Sequence, residues 1–330
     1  MTSVFVDVKG RIWNQNENRL RMPFRLVGAV LVFVIVGQLV GGVFGLISDQ
    51  YQGGLFVVFG ETNFREAIRA GVSLFGALTA IFTAGVTAFV VDRRRFRDFG
   101  FRFRRAWWYQ LGFGLFLGAA LMTLVFVTEL ALGWIQITGF LTASPGFAPS
   151  VLLLTTLLVF VGTSLTEELL VRGILLTNLA EGLAGLGPLS ERGGTAVAVV
   201  LTSVLFGALH LNNPNATVIS SASVAFGGVF LALGYVLTGD LAVPLGVHLT
   251  WNYVQGVVYG FPVSGVIPGV QVVATRQTGP TVLTGGAFGP EAGLLGVAAV
   301  FLGIGVVVLW VRRTDSFAED EARIWVPELR

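Results

Sequence analysis

Residues 27–47, VGAVLVFVIVGQLVGGVFGLI, contain no charged side chain over 21 positions. A helix needs about 20 apolar residues to cross hydrocarbon, so this run is long enough to span a bilayer. The rest of the chain fits the same solvent. Charged residues make up only 12% of the 330, against 54% apolar. A soluble domain carries about a quarter charged residues, and this chain lacks the charge to cover a water-facing surface. Its 44 glycines suit close helix approach in lipid. The fold class is therefore all-α, a polytopic membrane helical bundle.

Hydropathy predicts about eight spans, at 27–47, 70–91, 107–133, 151–177, 195–211, 217–237, 241–262 and 292–311. Loop charge orients them. The segment 92–106, DRRRFRDFGFRFRRA, holds seven arginines and is expected in the cytoplasm. The segment 134–149 has no charge and 263–290 holds only Arg276, so both are expected outside. Both termini then lie in the cytoplasm of an integral membrane protein, read here as a prokaryotic plasma-membrane protein. The chain divides into an N-terminal segment 1–26 without the apolar core of a signal peptide, a transmembrane domain 27–312, and a solvated tail 313–330. Trp107, Trp108, Trp134 and Trp310 fall at span ends, as interfacial anchors do. Gln38 is expected to bond between helices, and Glu129 to snorkel at an outer end.

Absence of cysteine excludes disulfides, thiol catalysis and thiolate metal sites. The net charge of +2 reflects loop arginines rather than a nucleic-acid partner.

The fourth span contains SLTEELLVRGI, residues 164–174. Ionisable groups are costly within a bilayer and usually face the bundle interior or water. Glu168 and Arg172 are i,i+4 and share a helix face, so they can pair. Glu167 is turned by about 100° from Glu168 and is left as the less compensated carboxylate, a candidate proton acceptor. A structural ion cluster is the competing reading of the same three charges. The only two histidines, His210 and His248, also fall in or at the ends of spans. His248 and Asn252 are i,i+4, and Phe206 and His210 share that spacing. Glutamate, imidazoles and an amide can together hold a water and polarise a carbonyl.

Glu167-Glu168-x-x-x-Arg172, Phe206-x-x-x-His210 and His248-x-x-x-Asn252, in that order, resemble the three motifs of the CAAX-protease and bacteriocin-processing (CPBP, or Abi) intramembrane protease family. The type II CAAX prenyl endopeptidase is a member. The resemblance covers roughly residues 150–260. It implies a glutamate-type peptidase inside the membrane, acting on a peptide or prenylated protein substrate among membrane lipids. Carried over, Glu167 activates the water with help from His210, and His248 and Asn252 stabilise the oxyanion. Glu168 and Arg172 hold the site, and Phe206 packs beside His210. No metal or other cofactor is favoured. Zinc is the rival chemistry, and would take Glu167, His210 and His248, but the HExxH signature is absent. A serine–histidine pair would draw on Ser164 or Ser203, neither in a GxSxG setting. Two other functions remain open: a non-catalytic scaffold or immunity protein, and a proton-coupled transporter. The latter is disfavoured by the lack of a repeat.

Helix rise sets Glu167 and His210 about 15 Å apart in depth if their spans start at opposite faces of a ~30 Å core. A shared site requires tilted helices or a deeper start to span five. The expected result is a water-accessible cavity in the cytoplasmic half.

Overall fold

The computed structural model describes residues 10–50, 61–314, and 324, 326, 327 and 329 near the C-terminus. Among them run eight main helices: α1 Met22–Gln50, α2 Glu61–Val86, α3 Arg105–Ala131, α4 Pro149–Glu167, α5 Glu191–Leu209, α6 Val218–Thr238, α7 Ala242–Tyr253 and α8 Leu294–Arg313. Two short ladders accompany them. Strand β1 (Trp13–Asn14) pairs with β2 (Arg19–Leu20), and β3 (Ile135–Ala143) pairs antiparallel with β4 (Val270–Gln277).

Local chemistry sets several boundaries. Pro149 opens α4 at a position where its missing N–H is harmless. Thr217 and Ser220 form a reciprocal capping box at the start of α6. Gly239 ends that helix in the left-handed region, at φ 68°. Arg312 and Arg313 sit in the last turn of α8, where cations complement the helix dipole.

Among the described residues seven helices are long and apolar enough to cross a membrane, as an integral membrane bundle requires. The stretch 241–262 falls short of that length. It forms α7 and then a π-helical turn over Val254–Val258. From Ala242 to His248 every residue of α7 is buried, so this helix is a central post enclosed by its neighbours. It leans directly on α3. A Cβ on Gly246 would stand 2.6 Å from the Leu115 nitrogen and 2.7 Å from the Leu111 oxygen. Gly246→Ala is therefore expected to push α7 off α3 and lower stability by about 1–3 kcal/mol, as read from denaturation of the protein in micelles.

The bundle has two distinct ends. The arginine end gathers the β1–β2 ladder, residues 92–104, the end of the α4 continuation at Leu183 and the α6–α7 turn. There Leu241 N–H donates to Gly100 O, and Arg104 pairs with Asp240. A buried ion cluster binds this end. Glu181 accepts from Arg19 Nη2 (2.5 Å), from Arg25 Nη2 (2.7 Å) and from Arg94. Beside it Asp92 accepts from Asn178 Nδ2 (2.9 Å), and Arg94 Nε stands 3.3 Å from its carboxylate. Burial pushes the Asp92 carboxyl above its ordinary range, against the pull of Arg94 and Arg25.

The sheet end carries β3 and β4. The segments 134–149 and 263–290, expected as separate loops, are joined there by that ladder, from Ile135↔Gln277 to Ala143↔Val270.

Three expectations for single residues change. Glu129 does not snorkel; it is fully buried and accepts from Gln277 Nε2 (3.1 Å) on β4. Gln38 is exposed on α1 rather than packed between helices. Trp107 is a core residue whose Nε1 donates to Gly100 O (3.0 Å), not an interfacial anchor. Most of the tail, including Glu319 and Asp320, lies outside the described residues. Within it Ile324 is buried in the core at the arginine end, so this residue is not solvated, and Leu329, still exposed, bridges Arg94.

Candidate active site

The α4 helix does not stop at Glu167. It continues as a nine-residue π-helix, Glu168–Leu176, and then as α-helix over Thr177–Leu183, giving 35 residues from Pro149 to Leu183. At ~1.5 Å per residue that is far longer than the bilayer core. Glu167 thus sits near the middle of a long rod, and the depth gap to His210 closes. The two glutamates straddle the point where α-geometry gives way to π. Such widened turns recur at functional sites.

Glu168 faces inward and is completely buried. Its Oε1 accepts from Arg172 Nη1 at 2.8 Å and from His248 Nδ1 at 2.8 Å. Arg172, equally buried, also donates from Nη2 to Gly228 O on α6 (3.2 Å). Its guanidinium carbon lies 4.2 Å from the centre of the Phe206 ring. One carboxylate and one guanidinium therefore tie α4, α5, α6 and α7 together.

Glu167 is placed differently. Its side chain is 30% exposed, against 0% for Glu168. Its Oε2 has no hydrogen-bond partner among the described residues and stands 3.8 Å from His248 Nε2. Because His248 Nδ1 donates to Glu168, Nε2 is the nitrogen turned toward Glu167. His210, just past the end of α5, donates from Nδ1 to Phe206 O (2.8 Å), which likewise leaves its Nε2 available. The Phe206 ring lies between the two imidazoles, 4.8 Å from one and 6.1 Å from the other.

Glu167, Phe206, His210, His248 and Asn252 all line one cavity of about 340 Å³. Glu168 and Arg172 lie behind its wall. Ser164 and Ser203 are buried and do not line it, which separates both from the histidines' cavity. Asn213, Trp251, Ser264 and Glu291 join the lining without having been singled out from the sequence. Of these Glu291 carried a signal, as the only acid in 263–293. It accepts from Ser264 Oγ (3.4 Å) and bonds Gln255, and burial pushes its carboxyl up to about 7.

The cavity lies in the sheet half of the bundle, not the arginine half. Its walls are the second half of α4, α6 from Ser223 to Leu231, α7 from Val247 to Asn252 and the first half of α8, and residues 213, 263, 264, 266 and 291 of the sheet-end loops close it. The expectation of a cavity beside the arginine-rich loops fails because α7 is short and α4 is long. His248 is held near mid-bundle, and His210 reaches it from the far end of α5.

Residues 149–254 match the family model described as Type II CAAX prenyl endopeptidase Rce1-like, a protease family and the one that the three motifs resemble. All seven motif residues fall inside that stretch. No curated protein and no solved structure matches the chain.

Proposed function

We propose that the protein is an intramembrane endopeptidase that hydrolyses a peptide bond of a membrane-associated substrate with a water activated by Glu167. The observation that carries this reading is the contrast between the adjacent glutamates. Glu168 is fully buried with its Oε1 held by Arg172 and His248, while Glu167 is 30% exposed, lines the cavity and comes no closer than 3.8 Å to His248. A water on the Glu167 carboxylate loses a proton to it as the water's own oxygen adds to the carbonyl carbon of the substrate. His210 Nε2 accepts the water's second hydrogen bond and orients it. The oxyanion that forms accepts from the Asn252 amide and from Nε2–H of His248, which acts as an imidazolium with its Nδ1–H on Glu168. Glu167 then gives its proton to the leaving amine as the C–N bond breaks. The matched family is named for a prenylated C-terminal peptide substrate, and the cleavage test below includes one.

Zinc would need Glu167, His210 and His248 around one point at about 2.0–2.2 Å each. Among the described residues no group of three His, Asp or Glu stands close enough to hold a metal ion. The test uses purified protein with a prenylated peptide and a library of membrane peptides. Wild type is expected to cleave and Glu167→Ala is not. Chelator is expected to leave the wild-type rate unchanged; a loss restored by added zinc would replace this mechanism with the metal one. Peptide binding with no cleavage by wild type would favour the scaffold reading.

A further inference from the structure

The side of the membrane on which this cavity opens can be read from two independent features. The first is its floor. Between the glutamate pair and the arginine end lies a plug of Phe99, Leu169, Ile174, Leu176, Tyr235 and Leu241, none more than 1% exposed. Tyr235 and Thr177 close it further through their hydroxyls, 2.8 Å apart. Among the described residues this packed layer stands between the cavity and the arginine end. The cavity's rim is formed by sheet-end residues, namely Asn213, Ser264, Val266 and Glu291.

The second feature is charge. Residues 93–105 carry seven arginines, and Arg19, Arg21, Arg25, Arg192, Arg312 and Arg313 lie at the same end. At the sheet end, 132–148 and 210–217 contain no lysine or arginine, and 259–293 contains Arg276 alone. Arg65 and Arg69 near the start of α2 raise that end to three. Basic loop residues are retained in the cytoplasm, and acidic ones contribute little to orientation. The ion pairs made by Arg19, Arg25 and Arg94 thus do not weaken the bias.

We infer that the cavity opens on the non-cytoplasmic face of the membrane, and that the peptides it takes are exported ones or the outward-facing segments of membrane-anchored ones. The substrate half of this inference rests on the peptidase reading; the direction of opening does not. A prenyl-peptide generated in the cytoplasm would meet the plugged end of the bundle.

The chain has no cysteine, so single cysteines can report on each end of the full-length protein. Ile267, next to the rim, is 61% exposed, and Leu186, in the loop after α4 at the arginine end, is 57% exposed. Intact cells carrying Ile267→Cys or Leu186→Cys in the plasma membrane are treated with a membrane-impermeant maleimide, before and after permeabilisation. Ile267→Cys is expected to label in intact cells to the extent seen after permeabilisation. Leu186→Cys is expected to label only after it. Labelling of Ile267→Cys only after permeabilisation, or of both positions in intact cells, overturns the inference. Cleavage by the purified protein in detergent, where both ends are open, is scored separately. Reversed labelling with intact cleavage sinks the direction of opening alone, and absent cleavage with the expected labelling sinks the peptidase alone.

Discussion

Glu167→Gln is expected to lower the cleavage rate of the purified protein by roughly 10²–10⁴-fold, the usual contribution of a positioned general base. The substitution keeps the size of the side chain and removes only its ability to take the water's proton. Substrate affinity is expected to hold, because the cavity walls are unchanged. The melting temperature is expected to hold as well, since Glu167 is part-exposed and its Oε2 bonds to nothing in the fold. Glu168→Gln should behave in the opposite way. It takes the charge from a carboxylate that serves both Arg172 and His248, and its first effect is on stability. If Glu167→Gln keeps near-wild-type turnover while Glu168→Gln loses activity without loss of stability, the two roles are reversed.

Arg172→Met should produce the largest loss of stability of any single change at the site, about 3–5 kcal/mol, as when one partner is removed from a buried ion pair. The pair is fully enclosed, so the remaining Glu168 carboxylate has no water to turn to. The bond to Gly228 O and the contact with the Phe206 ring are lost at the same time. Denaturation in mixed micelles reads the effect. A control separates charge burial from shape: adding Glu168→Leu to Arg172→Met removes the orphaned charge and is expected to restore part of the stability. If the double variant is no more stable than the single one, packing rather than charge holds this junction.

The spans were legible in the sequence because long, largely apolar runs over 27–47 and 107–133 leave few alternatives to a buried helix. The Glu168–Arg172 pairing was legible too, since i,i+4 spacing brings the two side chains together on a helix, and the 2.8 Å bond is the outcome. Depth was not. The apolar pattern that marks a span does not mark its tilt, so it could not show that α4 runs on to Leu183 through a π-helix. The π-helix itself has no signature in the residues that form it. Tertiary pairing was equally hidden. Glu129 reads as an acid near a bilayer face until Gln277, 148 positions later, arrives beside it on β4. Glu291 came from a loop whose glycines and prolines predict turns but not where they fold.

The ion cluster at the arginine end bears on how the chain assembles as it is made. Arg19 and Arg25 are synthesised 162 and 156 residues ahead of the Glu181 carboxylate that holds them. Three further spans must be threaded into the bilayer before that contact can close, so it cannot guide the entry of α1. It acts as a late latch, drawing the first helix onto the fourth only after the glutamate-bearing segment is in place. A nascent chain arrested before residue 181 would hold Arg19 and Arg25 without the carboxylate they share, which sets a natural checkpoint between membrane insertion and helix assembly.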